Sequence, residues 1–190
     1  MHFVLASGSP RRRELMEMLG VQNLKILPAK GEEHAPEGAG PGELVTALAA
    51  AKVREVAPQC AADDVIVGAD TIVWLDGHPF GKPHSEEEAR QMLRTLSGRE
   101  HREYTGLCVR RGGEEYCEWE ESRVIFRELS EEEIRAYVAT GEPLDKAGAY
   151  GAQGKGALLV RRIEGDFFNV MGLPLCRLGI MLKKQGVELL

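Results

Sequence analysis

Residues 65–75 have the sequence Val-Ile-Val-Gly-Ala-Asp-Thr-Ile-Val-Trp-Leu, an apolar run interrupted near its middle by glycine and aspartate. The pattern predicts two buried strands, 65–67 and 71–75, with a bulge or a close backbone approach at Gly68-Ala69. An acid at such a break can hold a divalent metal or orient a water molecule. The structural alternative is that Asp70 accepts backbone hydrogen bonds at a strand kink. Asp70 is therefore a candidate functional residue.

Strand and helix signals alternate on both sides of this run. Further strands are predicted at 3–7, 24–28, 103–111, 115–127, 157–163 and 167–170. Gly112-Gly113 between two long runs predicts a hairpin. Ser85 and Ser130, each followed three residues later by glutamate, predict capped helices, and Pro41 and Pro174 predict two further helix starts. The sequence thus predicts an α/β fold with a mixed, twisted sheet flanked by helices, in one domain over residues 1–190.

The composition disfavours several classes of protein. The chain has 24 Lys and Arg against 30 Asp and Glu, a formal charge of −6, which argues against a nucleic-acid partner. Uncharged stretches fall well short of the roughly 20 residues of a membrane-spanning helix, and the N-terminus lacks the pattern of a signal peptide. The four cysteines have no CxxC spacing and predict reduced thiols. We therefore expect a cytoplasmic protein that does not bind membranes.

The segment Ser7-Gly8-Ser9-Pro10-Arg11-Arg12-Arg13 places three arginines at the start of a predicted helix, which Ser9 can cap and Pro10 can open. Cations are unfavourable at a helix N-terminus, by roughly 0.3–1 kcal/mol each. The pattern favours an anion held there by backbone N–H groups and guanidinium groups. The alternative is three solvated surface arginines.

Three more features are candidates in the company of these arginines. Lys52 lies on the second predicted helix and Lys82 just before the third, and each alone is typical of a solvated surface lysine. Four glycines between residues 148 and 156 surround Gln153, whose side chain offers both a donor and an acceptor. This segment matches neither a Walker A motif nor a dinucleotide fingerprint, and an ordinary flexible loop is the alternative.

In combination, these segments resemble the Maf family of nucleoside triphosphate pyrophosphatases. The matching blocks follow one another along nearly the whole chain: Ser7–Arg12, Gly68–Thr71, Gly81–Pro83, Leu96–Gly98 followed by His101, Tyr104–Gly106, Glu142–Gly151 and Val170–Leu175. The resemblance implies a Maf/ITPase-like fold of two lobes around a central cleft. It also implies a homodimer and a requirement for a divalent metal cation, Mg²⁺ or Mn²⁺.

The resemblance further implies an activity and a set of site residues. The expected enzyme is a house-cleaning hydrolase of nucleotide metabolism that converts a nucleoside triphosphate to the monophosphate and pyrophosphate. By resemblance, Asp70 is the catalytic acid, and Ser7, Ser9, Arg12, Lys52 and Lys82 bind the phosphates. Asp70 and Glu33 are the implied metal ligands, with Glu32 as an adjacent alternative to Glu33.

Three positions, Arg11, Thr71 and Gln153, separate branches of the family. The branch that acts on 7-methyl-GTP has an aromatic residue, a glutamine and a glutamate there, whereas this chain resembles the branch that acts on dTTP and UTP. Gln153 can pair with the donor and acceptor edge of uracil or thymine, and a carboxylate would suit the donor edge of guanine. We expect dTTP and UTP as substrates, with CTP or modified pyrimidine nucleotides as further candidates.

The competing hypothesis is a nucleotide-binding regulator of cell division or septum formation that does not turn its ligand over. The same cations would serve binding alone. A protein that only binds has no need of Asp70 beside them, so this residue favours the enzyme.

Overall fold

The computed structural model describes residues 1–31 and 36–190. The strands, in chain order, are β1 (Phe3–Leu5), β2 (Lys25–Ile26), β3 (Val65–Leu75), β4 (His78–Phe80), β5 (Glu100–Arg111), β6 (Glu114–Phe126) and β7 (Val160–Glu164). The helices are α1 (Pro10–Met18), α2 (Pro41–Val56), α3 (Glu86–Leu96), α4 (Glu131–Val138), α5 (Phe167–Met171) and α6 (Leu175–Lys184).

The described strands form one seven-stranded mixed sheet. Its order is β2-β1-β3-β5-β6-β7, with β4 paired to β3. β1 runs parallel to β2 and β3, whereas the β3–β4 and β6–β7 pairs are antiparallel. The parallel pairs are joined through long connections and the β3–β4 pair through a tight Asp76-Gly77 turn, as these two pairings require. The predicted α/β fold with a mixed sheet and helices is confirmed.

The helix starts were predicted from local capping signals, and most are confirmed. Ser85 Oγ accepts the Glu88 N–H at 3.1 Å, and Ser130 Oγ accepts the Glu133 N–H at 3.2 Å. Pro41 is the first residue of α2, as predicted, whereas Pro174 is the N-cap that precedes α6. Such caps are local interactions, so they are visible in the sequence before the fold is known.

Two strand predictions are wrong. Residues 65–75 form one continuous strand. Pairing of the backbone does not depend on the side chain, and the Asp70 carboxylate is paired with Lys52, which lies outside the strand. Residues 167–170, predicted as a strand, belong to α5. The carboxylate of Asp166 accepts the Phe168 N–H at 2.7 Å, and this cap outweighs the strand propensity of the two phenylalanines.

The chain divides into two compact units, each with its own apolar core. The first unit comprises Met1–Asp70, Thr105–Glu120 and Gly172–Leu190, and the second comprises Thr71–Tyr104 and Glu121–Met171. Val4, Val53 and Ile66 are in the core of the first unit, and Leu93 and Phe126 are in that of the second. In the described ranges, every helix is too short or too polar to cross a bilayer.

Candidate active site

Ser7, in the first unit, links the end of β1 to the first turn of α1. Its Oγ accepts two hydrogen bonds of 3.2 Å, from the Ser9 N–H and from Arg12 Nη1. Arg12 Nε donates at 2.8 Å to the carbonyl oxygen of Gly172. These contacts orient the Arg12 guanidinium at the positive end of the helix dipole, an arrangement suited to an anion.

The other two arginines of this helix differ in surroundings. Arg13 is exposed and pairs with Glu17 one turn along at 2.8 Å, so it is a surface ion pair. Arg11 is half-buried in the first turn. Ser9 occupies the N-cap position as predicted, but its side chain makes no capping hydrogen bond in the described part of the chain. The predicted side-chain cap at Ser9 is therefore wrong, and its backbone N–H instead contacts Ser7.

Lys52 and Asp70, 18 residues apart in the sequence, form a direct ion pair between Nζ and Oδ1. Their side chains are only 17% and 11% exposed. Gly68 makes the pair possible, because a Cβ there would lie 2.6 Å from Val53 Cγ2 and 2.7 Å from the Ala49 carbonyl oxygen. The missing side chain lets α2 lie directly on β3, as predicted for a close backbone approach at this glycine.

The strand register connects this pair to the serine and arginine group. Leu5 of β1 pairs in parallel with Val67 of β3, and the Ala6 N–H donates to the Val67 carbonyl oxygen at 2.8 Å. Ser7 and Asp70 therefore both follow the segment over which the two parallel strands pair, while β3 itself continues to Leu75. Ligands in open α/β sheets bind near the carboxyl end of parallel strand pairing. The five candidates Ser7, Ser9, Arg12, Lys52 and Asp70 all belong to the first unit.

The second unit holds the remaining described candidates. Thr71 is half-buried in β3 and directly follows Asp70 in the chain. Lys82 is exposed in the loop between β4 and α3. The Gly148 N–H donates to the Gly81 carbonyl oxygen at 3.0 Å, so the glycine-rich segment is attached to the loop that carries Lys82.

The loop around Gln153 is held by a single carboxylate. Glu142 accepts the Lys155 and Gly156 N–H groups at 3.1 and 3.0 Å, and it also accepts the Tyr137 hydroxyl at 3.0 Å. The Gly151 N–H in turn donates to the Tyr137 hydroxyl oxygen at 3.2 Å. Burial raises the pKa of Glu142 and is the largest single effect, but the backbone and side-chain hydrogen bonds together hold this pKa below its usual value. The loop is therefore positioned rather than freely flexible.

Gln153 is the chemically unusual residue of this loop. Its Oε1 is buried and has no hydrogen-bond partner within residues 1–31 and 36–190. A buried carbonyl oxygen without a donor costs about 1–3 kcal/mol. A water molecule or a ligand donor can satisfy such an oxygen.

Comparison with known proteins agrees with this arrangement of motifs. The family profile described as Maf-like protein matches residues 2–185. The chain belongs to the Maf family. A relative from Dictyoglomus thermophilum, named dTTP/UTP pyrophosphatase, is 47% identical over 189 residues, covering 98% of this chain and 97% of the relative. A relative of the same name from Methanosarcina mazei is 47% identical over 187 residues, covering 97% and 94%.

One solved structure illustrates a more distant likeness to this Maf-family chain. It is a nucleoside-triphosphatase or dITP/XTP pyrophosphatase from Mycobacterium abscessus, 12% identical, with a TM-score of 0.45 over 98% of this chain and 96% of that one. Likeness at this level supports no conclusion about activity.

Two residues of the Maf-family motifs, His101 and Tyr150, belong to a buried polar network for which the sequence predicted no function. In the second unit, the Tyr150 hydroxyl donates to the Glu103 carboxylate, and His101 Nε2 lies 2.7 Å from the same hydroxyl oxygen. Because the only hydroxyl hydrogen goes to Glu103, His101 Nε2 is the donor to Tyr150. Burial lowers the pKa of His101 to about 3, so its ring is neutral at physiological pH. Tyr150 belongs to the glycine-rich segment, so these hydrogen bonds attach that segment to β5.

The metal ligands implied by the family resemblance are only partly within the described residues. Glu33 and its neighbour Glu32 lie outside them. Asp70 provides one carboxylate, and Mg²⁺ commonly takes one or two protein carboxylates and completes its shell with phosphate oxygens and water. The oxygen donor at Asp70 therefore fits a hard divalent cation bound together with a triphosphate.

Proposed function

We propose that this Maf-family chain hydrolyses dTTP and UTP to the monophosphate and pyrophosphate, with CTP or modified pyrimidine nucleotides as further substrates. The names of the full-length relatives support the substrate class. The observation on which the proposal rests is the buried Lys52–Asp70 ion pair, whose carboxylate lies on β3 beside β1, the strand that leads to Ser7 and Arg12. This arrangement combines an acid with cations, which hydrolysis of a polyphosphate requires.

Phosphate binding is the task that we assign to the positively charged side chains. A triphosphate carries about four negative charges, and catalysis of phosphoryl-type transfer consists mostly of positioning and charge stabilisation. Arg12, Lys52 and Lys82 would neutralise the charge that develops on the leaving pyrophosphate, while Ser7 and Ser9 would contribute hydrogen bonds. Lys82 is included among these cations because the family resemblance implies it.

We assign to Asp70 the role of accepting a proton from the attacking water. Lys52 contacts Oδ1, so Oδ2 is the oxygen that would accept the water proton as the water attacks the α-phosphorus. The α-phosphorus to bridging-oxygen bond then breaks and pyrophosphate leaves. A divalent cation, held by Asp70 and Glu33, would supply further charge neutralisation on the triphosphate when bound.

Recognition of the base is assigned mainly to Gln153. The unsatisfied Oε1 of Gln153 would accept the ring N–H of uracil or thymine, and its amide N–H₂ would donate to a ring carbonyl oxygen. Arg11 and Thr71 are the other two proposed specificity positions. We also propose the homodimer implied by the resemblance and the cytoplasmic location expected from the sequence, with no nucleic-acid or membrane partner.

The test is a turnover assay with a panel of common and modified nucleoside triphosphates in the presence of Mg²⁺ or Mn²⁺. We expect pyrophosphate release to be fastest with dTTP or UTP and to fall below about a tenth of the wild-type rate in Asp70→Asn, since the proton acceptor is lost. Binding of the nucleotides without turnover by the wild type would instead support the regulator of cell division. Retention of more than a tenth of the rate in Asp70→Asn would remove this residue from its assigned role.

A further inference from the structure

Two cysteines face each other across the hairpin formed by β5 and β6 in the first unit. The strands are joined by the two-residue turn Gly112-Gly113, so residue 110 faces 115 and residue 108 faces 117. The Arg110–Glu115 ion pair of 3.7 Å and the 2.7 Å contact between the sulfurs of Cys108 and Cys117 agree with this register.

The position of the cysteine pair suits a covalent cross-link. In a hairpin with a two-residue loop, the Cys108–Cys117 position is a non-hydrogen-bonded pair, for which the Cα atoms lie about 4.5 Å apart. Disulfides span Cα separations of about 4.4–6.8 Å. Bond formation therefore requires a small side-chain rotation and no change in strand pairing.

A metal is the competing ligand for this group, because Glu115 lies beside the two thiols with its Oε1 3.8 Å from the sulfur of Cys117. The carboxylate is already engaged, however. Arg54 donates to Glu115 Oε1 through Nε at 3.0 Å and Nη2 at 2.5 Å, and Arg110 contacts Oε2. A metal ion would have to displace these guanidinium groups, so the contacts favour chemistry of the thiols alone.

We propose that Cys108 and Cys117 form an oxidisable dithiol site that hydroperoxides convert into a cross-strand disulfide. Cys117 is half-buried, whereas Cys108 is fully buried against the apolar face of α2, so Cys117 is the sulfur that the oxidant reaches. The contact with Cys108 lowers the pKa of Cys117, against the opposing effects of burial and of the Glu115 carboxylate, and favours its reactive thiolate.

The reaction proceeds in two balanced steps. The Cys117 thiolate attacks one oxygen of hydrogen peroxide, the O–O bond breaks, and Cys117 becomes a sulfenic acid. The hydroxide that leaves takes up the proton that the Cys117 thiol released to the solvent, which gives the first water. The Cys108 sulfur then attacks the sulfenic sulfur, the S–O bond breaks, and the hydroxide leaves with the Cys108 proton as a second water. The two thiols lose two electrons, and the peroxide gains them.

The experiment treats the reduced full chain with stoichiometric hydrogen peroxide. We expect the number of titratable thiols to fall from four to two and the mass to fall by about 2 Da. Trypsin cleaves after Arg110 and Arg111, so Cys108 and Cys117 lie on different peptides, and a reductant-sensitive linked pair identifies the bond without any variant. A linkage that involves Cys60 or Cys176, further oxidation of Cys117 to sulfinic acid, or four remaining thiols would overturn the proposal.

Two cysteine variants and a preincubation with Zn²⁺ provide controls for this experiment. Cys60→Ser/Cys176→Ser should still lose its two remaining thiols, whereas Cys117→Ser should show no loss of 2 Da. If Cys117→Ser does not fold, the wild-type peptide map still decides. Preincubation with Zn²⁺ should leave the oxidation unchanged, and stoichiometric protection by Zn²⁺ would identify a metal site and contradict the proposal.

Discussion

Separating the charges of Lys52 and Asp70 tests whether they act as one unit. Lys52→Met leaves a carboxylate that is 11% exposed without its cation. Breaking a buried ion pair costs about 3–5 kcal/mol, and the residual exposure of this pair places the expected loss in the free energy of unfolding near 2–3 kcal/mol. Asp70→Asn should cost less, about 1–2 kcal/mol, because the flexible lysine left behind can extend its ammonium group toward water.

The double variant Lys52→Met/Asp70→Asn removes both charges. It should be about 2 kcal/mol more stable than the sum of the single losses predicts, since no unpaired charge remains in the interior. The assay is urea denaturation of the wild type, both single variants and the double variant at one pH, with linear extrapolation. Additive losses, with a coupling below about 0.5 kcal/mol, would refute the assignment of a coupled buried pair.

Rates of pyrophosphate release from the same four proteins test the role of this ion pair in catalysis. Lys52→Met should lower the rate of pyrophosphate release by about 10²–10³, the usual loss for one charge-stabilising contact. The double variant should be slower than Asp70→Asn, because Lys52 also neutralises charge on the leaving pyrophosphate. An equal rate in these two variants would show that Lys52 acts only through Asp70.

Three further predictions follow from separate features. Gly68→Ala should lower the free energy of unfolding by about 1–3 kcal/mol in urea, because its Cβ would overlap α2, whereas Gly179→Ala, with nothing within 4 Å, should not. Gln153→Glu should lower kcat/KM for UTP at least about tenfold while leaving the melting temperature unchanged, and an unaltered nucleotide preference would place base recognition elsewhere. Because the folded pKa of His101, about 3, lies below its unfolded value, its contribution to stability is complete above about pH 6.5 and declines as the pH falls. The wild type should therefore lose about 2 kcal/mol between pH 7.5 and pH 5 in urea titrations. His101→Gln should lose much less and the exposed control His84→Gln should match the wild type, while equal losses in all three would contradict the assignment.

Local signals explain which parts of the fold were predictable from sequence. The caps at Ser85 and Ser130 depend on residues three positions apart, so the sequence displays them directly. The strand through Asp70 was predicted as broken because its partner, Lys52, lies on another element. Asp166 acts locally as a cap, but two phenylalanines after it mimic a strand, and periodicity alone cannot separate a short helix from a short strand.

In the candidate site, too, local features were predictable from the sequence and contacts between distant residues were not. Ser7, Arg12 and Asp70 lie in motifs whose residue types violate local expectations, which makes them visible in the sequence. The hydrogen bond from Arg12 to Gly172 spans 160 positions, and no local pattern predicts it. Glu142 was likewise missed as the anchor of the Gln153 loop, because a glutamate after a helix is typical of a solvated side chain and only the folded loop brings its amide groups to the carboxylate.

Hydrolysis of UTP in ¹⁸O-labelled water tests the central claim most directly. Attack of water on the α-phosphorus predicts one labelled oxygen in UMP and none in pyrophosphate, with a rate that collapses in Asp70→Asn. Label in pyrophosphate, or release of orthophosphate with UDP, would contradict the proposed reaction even if the nucleotide binds at the proposed site.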